Sequence, residues 1–145
     1  MISGTYKKGH RHPPDYHVHI VSGSGYSLFW HEGDTDYQRY DWSHGSIFAP
    51  TNMIFHQHFN TSKEPVRYYA TAMVSTRYPF TKENRDAKLG VDVSVDDGGY
   101  QIEYEDQDPY IHKLYLEELA KNGLECTLGD HMDYSVLMDP LKKNS

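Results

Sequence analysis

The chain has 145 residues and a mass of 16.8 kDa, enough for one domain with one core and too few for two of ordinary size. Charged residues at 24% and an apolar set at 37% exclude a disordered chain, and no apolar run approaches the roughly 18 residues that cross a bilayer. A net charge of −7 argues against nucleic acid or an anionic membrane as the main partner, because little is available to neutralise phosphates.

The opening MISGTYKKGHRH lacks the apolar segment of a signal peptide, so a cytoplasmic location is expected. The single cysteine, Cys126, excludes an internal disulfide and a thiolate zinc cluster. Aromatic residues reach 14%, with 13 tyrosines among them, which points to a β-rich fold.

In chain order, short apolar runs alternate with Gly, Asp, Asn and Pro breaks. His17–Ser22 reads as a strand, and Gly23-Ser24-Gly25 turns the chain into a return strand over Tyr26–His31. Tyr37–Trp42, Ser46–Ala49, Ile54–Asn60 and Val66–Val74 follow as strands. Strands this close together, with no helical segment between them, suggest a sandwich or small barrel. Residues 76–91 read as a charged connector. Val91–Val95 and Tyr100–Tyr104 read as a hairpin around Asp96-Asp97-Gly98-Gly99. Asp108-Pro109 supplies a cap and a first-turn proline for a helix over Tyr110–Lys121, with Ile111, Leu114, Tyr115 and Leu119 on one face. The organisation expected is a β-barrel core over 1–75, a connector and extra hairpin packing on it over 76–107, and a helix with its tail over 108–145.

The histidines carry the chemistry. Of 10, eight lie in the first 58 residues, and six of those form the H-x-H pairs His10/His12, His17/His19 and His56/His58. Chance would give about 0.7 such pairs, so the clustering is a signal. In a strand, residues i and i+2 share a face, so each pair presents two imidazoles to one metal ion. A third ligand from another strand would complete a facial set and leave positions open. His31, His44, His112 and His131 read as ordinary surface or turn residues.

Two segments resemble the motifs of the cupin superfamily. The first cupin motif is G-x5-H-x-H-x3–4-E-x6-G. Here Gly4-TYKKG-His10-Arg11-His12 opens it and Gly23 closes it. The second is G-x5-P-x-G-x2-H-x3-N. Here Gly45-SIFA-Pro50, TNMIF and His56-Gln57-His58-Phe59-Asn60 stand in the same order, with two spacings off by one residue. The resemblance covers about residues 4–75. It implies an all-β double-stranded β-helix, the jelly-roll barrel, here followed by the C-terminal α-helix. It also implies a metal held by His10, His12 and His56.

The position of the motif's glutamate is taken by Tyr16. Within cupins this is similar to the gentisate 1,2-dioxygenase-like group, which holds Fe(II) through three histidines. HVHIVSGSGYSLFW, GSIFAPTNMIFHQHFN and GGYQIEYEDQDP also look like that group. The resemblance implies a non-haem Fe(II) dioxygenase acting on a small hydroxy-aromatic or hydroxy-acid substrate, with Zn, Ni or Mn as the other candidate ions. The alternatives are a metal-dependent isomerase-type cupin and a non-catalytic small-ligand-binding cupin.

Strand parity turns His17 away if Tyr16 faces inward; a bulge after Pro13-Pro14 would reverse that and make His17 a fourth ligand. His58 shares the face of His56 and is the candidate acid/base group. Arg67 is the candidate carboxylate fork, against the alternative of a surface arginine. Tyr16, Tyr26 and Trp30 are candidates to line a substrate pocket, against ordinary core packing. Only nine residues precede His10, fewer than the strands a cupin barrel carries there. A second copy of the chain, residues 91–104 or a longer natural chain would complete the barrel, and a homodimer is the expectation.

Overall fold

The computed structural model describes residues 1–13, 16–72 and 92–138. Eight strands are present among them: β1 Gly9–His10, β2 Tyr16–Ser22, β3 Ser24–Trp30, β4 Gln38–Ser43, β5 Ile47–Phe48, β6 Phe55–Asn60, β7 Arg67–Ala72 and β8 Gln101–Ile102. Two helices follow, α1 Pro109–Lys121 and the single turn α2 Ser135–Met138. The strands form a five-stranded sheet in the order β4-β3-β6-β1-β8 and a three-stranded sheet in the order β5-β2-β7. All strand pairs within these sheets are antiparallel.

The chain changes sheet after β1, β2, β4, β5, β6 and β7, which is the interleaving of a jelly roll. This is a mostly β fold of two facing antiparallel sheets, and no closed barrel forms among the described residues.

The expected return strand is not a hairpin partner. β2 pairs with β5 and β7, while β3 pairs with β4 and β6. One residue, Gly23, separates β2 from β3 and turns at φ 86°. A two-residue hairpin needs more chain, so this corner carries the strand into the opposite sheet. A Cβ at Gly23 would also meet Val66 Cγ2 at 2.7 Å.

The expected hairpin over 91–104 is also corrected. Residues 95–97 form a 3-10 turn, with the Ser94 side chain accepting from the Asp96 amide and Gly98 in the left-handed region at φ 81°. The Asp-Asp-Gly-Gly run thus caps a turn, and β8 pairs with β1. The connector over 76–91 and the tail beyond 138 lie outside the described residues, as do the last two residues of the strand expected to reach Val74.

Helix α1 begins where the sequence places it. The Asp108 side chain accepts from the Tyr110 amide at 2.9 Å, with Pro109 in the first turn. Its buried residues are Ile111, His112, Tyr115 and Leu119, and Leu114 is partly buried. They pack with Tyr6, Tyr26, Leu28, Trp30, Phe55 and Phe59, so the main apolar core lies between α1 and the larger sheet. A second cluster, Val18, Ile20, Trp42 and Val66, fills the space between the sheets.

His112 corrects the reading of an ordinary surface histidine. It is 4% exposed, and its ring nitrogens contact the Tyr6 hydroxyl at 3.1 Å and the Tyr134 hydroxyl at 2.7 Å. Tyr6 also accepts from Gln107 Nε2 at 2.7 Å, so a buried polar chain ties the helix to the sheet.

Strand β6 is central, and all six of its residues are buried. Phe55, Gln57 and Phe59 face the helix side; His56, His58 and Asn60 face the space between the sheets, as strand alternation requires. The polar members need partners to be buried this way. Asn60 donates to the carbonyls of Met1 and Glu64 and accepts from Ser62. Tyr115 donates to the Asn60 carbonyl at 2.7 Å.

Candidate metal centre

His10 and His56 stand opposite each other in the antiparallel register of β1 and β6. Their ring centroids are 4.4 Å apart. The chain past β1 then brings the His12 ring to 4.8 Å from His56 and 5.7 Å from His10. One ligating nitrogen from each of the three lies within 4.8 Å of the others.

The hydrogen bonds prepare two of these rings for a metal. His10 Nδ1 lies 2.9 Å from the Lys8 carbonyl, and His56 Nδ1 lies 3.0 Å from the Ile54 carbonyl. A carbonyl only accepts, so each Nδ1 carries the proton and each Nε2 presents a lone pair. Both rings are held neutral. Burial is the largest cause, pulling His10 down to about 4 and His56 down to about 3. Neutral imidazoles are what a metal ion binds, so the donor set fits one.

The remaining candidates divide by strand parity. Tyr16, Val18 and Ile20 face inward on β2, and the Tyr16 ring stands 4.6 Å from the His12 ring. His17 is exposed on the opposite face, so the structure does not bring it to the cluster. Pro14, which the bulge would need, lies outside the described residues. His58 is 5% exposed and 5.5 Å from His56, centroid to centroid. It also contacts Phe48 at 5.7 Å and Tyr68 at 5.9 Å.

Three pocket candidates stand elsewhere. Arg67 is exposed, on the face of β7 opposite to inward Tyr68, which is the surface alternative for it. Tyr26 and Trp30 alternate with Ser27 on β3 and point to the helix side. Tyr26 stacks on Phe59 at 4.5 Å and Trp30 on Phe55 at 5.7 Å. They pack the core because β3 turns Tyr26, Leu28 and Trp30 toward α1, and Gly25, Ser27 and Phe29 toward the space between the sheets.

Sequence reasoning missed three residues near the cluster: Lys7, Ser27 and Trp42. Ser27 Oγ lies 2.7 Å from His58 Nδ1 and 2.9 Å from Trp42 Nε1. A lone hydroxyl within the aromatic strand YSLFW was the available signal for Ser27. For Lys7 the adjacency to His10-Arg11-His12 was a weak one.

No family model matches the chain, and no curated protein matches it. Among solved structures, it is similar to Peruvianin-I, a cysteine peptidase from Thevetia peruviana latex, at 17% identity and a TM-score of 0.44, covering 48% of this chain and 44% of that one. It is similar to the capsular polysaccharide assembling protein CapF from Staphylococcus aureus, at 19% identity and a TM-score of 0.44, covering 54% of this chain and 24% of that one. It is also similar to a single-substitution variant of Bacillus subtilis oxalate decarboxylase, at 14% identity and a TM-score of 0.43, covering 61% of this chain and 29% of that one. The chain therefore spans less than half the length of each.

Interleaved antiparallel sheets and three converging imidazoles together make a jelly-roll-like β fold with a histidine cluster that suits a metal ion.

Proposed function

We propose that this is a metal-binding cupin acting as a non-haem Fe(II) dioxygenase on a small hydroxy-aromatic or hydroxy-acid substrate. The observation that carries the reading is the cluster itself: three imidazoles converge, two of them held neutral, and a tyrosine stands in the slot where the motif has a carboxylate. Such a donor set leaves the ion its full charge, which favours oxygen-donor chelates over water.

Fe(II) held there would supply Lewis-acid and redox chemistry, and a dioxygenase adds both oxygen atoms to its substrate without an external reductant. The protein's residues do the rest. His10, His12 and His56 fix the position of the ion, and the Lys8 and Ile54 carbonyls fix two of the ring orientations. Phe48 and Tyr68 beside His58 restrict water on the inner side. His58 is the group placed to exchange a proton with the substrate.

Metal analysis of the full chain purified without added metal, followed by oxygen uptake with a hydroxy-aromatic acid, tests this. Stoichiometric iron with oxygen consumed is the expected result. Zinc or nickel with no uptake would replace the reading by an isomerase-type cupin, and absence of metal would leave ligand binding alone.

The homodimer reading is supported by the edge position of β7 in the smaller sheet, with no further strand paired to it among the described residues, and by exposed Val21, Ile47 and Tyr69. Sedimentation at the mass of one chain would overturn it. No helix among the described residues is long and apolar enough to cross a membrane.

A further inference from the structure

Three histidine pairs share the H-x-H spacing, and the inner cluster with His58 accounts for two of them. His17 and His19 are the third. Both stand on β2, whose side chains alternate between the two faces of the smaller sheet. Val18 and Ile20 are buried between the sheets, so His17, His19 and Val21 share the outer face. His17 and Val21 are exposed there, and His19 is half-buried.

β2 is the middle strand of its sheet and is held in register by β5 on one side and β7 on the other. A pair of ligands on such a strand is placed more precisely than a pair on a loop. Thr71 of β7 lies opposite His17, and Tyr69 lies opposite His19. Arg67, the only cation in these three strands, pairs with Ser22 at the far end of β2 from His17, so it does not repel an ion held by the pair.

The His19 ring is fixed in place. It stacks on Tyr69 at 4.6 Å with 6° between the planes, and its Nε2 lies 3.3 Å from Thr71 Oγ1. Because Thr71 belongs to the row of His17, the ring leans along β2 toward His17 and away from Val21. The Thr71 hydroxyl also reaches the His17 carbonyl at 3.5 Å. A carbonyl only accepts, so Thr71 donates there and accepts from His19 Nε2. The His19 proton is then on Nε2, and Nδ1 keeps a lone pair. One ring nitrogen tied to an oxygen and the other bare is the arrangement of a metal-ligating histidine. His10 and His56 show it with the two nitrogens exchanged.

No hydrogen bond holds the His17 ring among the described residues, so it can turn onto the same ion. Alternate residues of a strand stand about 6.7 Å apart, and two rings leaning together span that distance. The same spacing at His10 and His12 brings the ring centroids to 5.7 Å.

We propose that His17 and His19 form a second metal site, a two-imidazole chelate on the outer face of the smaller sheet. It takes a divalent first-row ion of the copper, nickel or zinc type, copper(II) most tightly, and leaves the other positions to water. Two imidazoles without a carboxylate do not suit magnesium or calcium, which require oxygen donors. The site is separate from the three inner histidines and does not depend on them.

Equilibrium dialysis of the full chain against copper(II) tests the pair, with the bound ions counted and their paramagnetic resonance spectrum recorded. Two ions per chain are expected, one of them showing two imidazole nitrogens. His17→Ala and His19→Ala are each expected to weaken that ion by about 100-fold or more, the advantage of a second linked ligand, and to leave the other ion in place. His17 is exposed and unbonded, so its removal leaves the fold intact. His31→Ala, which removes a lone exposed histidine, is expected to change nothing. A single ion per chain, lost with His17 or His19 and kept in His56→Ala, would leave the outer pair standing without the inner centre. Copper binding unchanged in both His17→Ala and His19→Ala overturns the outer site, and so does an equal loss in His31→Ala.

Discussion

A backbone carbonyl two residues back along the strand decides which nitrogen of His10 and of His56 is free. This makes His56 the residue whose loss is least replaceable, because His10 and His12 alone can offer only two nitrogens. His56→Ala is expected to lower metal affinity by more than the roughly 10–100-fold typical of outer hydrogen-bond partners. Equilibrium dialysis with quantified metal checks this, and retained affinity would remove His56 from the ligand set. Tyr16 is the complementary case. Its ring stands against His12, so a carboxylate in its place would reach toward the same ion. Tyr16→Glu is expected to tighten metal binding by roughly tenfold, the effect of one charged contact. The same dialysis reads it, and an unchanged constant would mean that this slot does not open on the metal.

Elements take their positions here from side chains that are small as much as from those that are large. Gly25 on β3 lies opposite Asn60 of β6 and Trp42 of β4. An added Cβ there would run into the Phe59 carbonyl and the Trp42 ring. Gly25→Ala is therefore expected to destabilise the fold by about 1–3 kcal/mol or more, the scale of overpacking a tight interior. Chemical denaturation measures it, and a midpoint equal to the wild type would show that the two sheets have slack at this corner. The Trp42 indole is also what holds Ser27, so this packing and the hydrogen-bond chain to His58 belong to one arrangement.

Over the whole molecule, burying neutral histidines sets a pH dependence. The folded values of His10 and His56 lie at about 4 and about 3, below the unfolded value near 6.5. Between those limits the unfolded chain binds more protons than the folded one. The stability these groups allow is therefore complete above about pH 6.5 and is lost as pH falls toward about 4 and then about 3. The metal-free protein is expected to melt at a lower temperature at about pH 4.5 than at about pH 7. Scanning calorimetry across that window checks it, and a flat midpoint would mean that the rings are solvated. The larger sheet is covered by α1 on one face and by the smaller sheet on the other, which is why β6 can hold six buried residues in a row.

Local signals were sufficient for much of this. Alternation and turn residues located β2 to β7, and the Asp108-Pro109 pair located α1, because capping and pleating act over a few residues. The H-x-H spacing marked His10, His12 and His56 as candidates for the same reason. Partnership between distant segments was not legible. That β2 and β3 part company at Gly23, that β8 joins β1, and that Tyr26 and Trp30 face the helix while Ser27 faces His58, all follow from pairings between segments far apart in the chain. Side-chain direction in a sheet reverses with one residue of register, and register is set by the neighbouring strands. Composition and spacing thus determined what kinds of side chain were present to bind an ion, and tertiary pairing alone decided which of them meet.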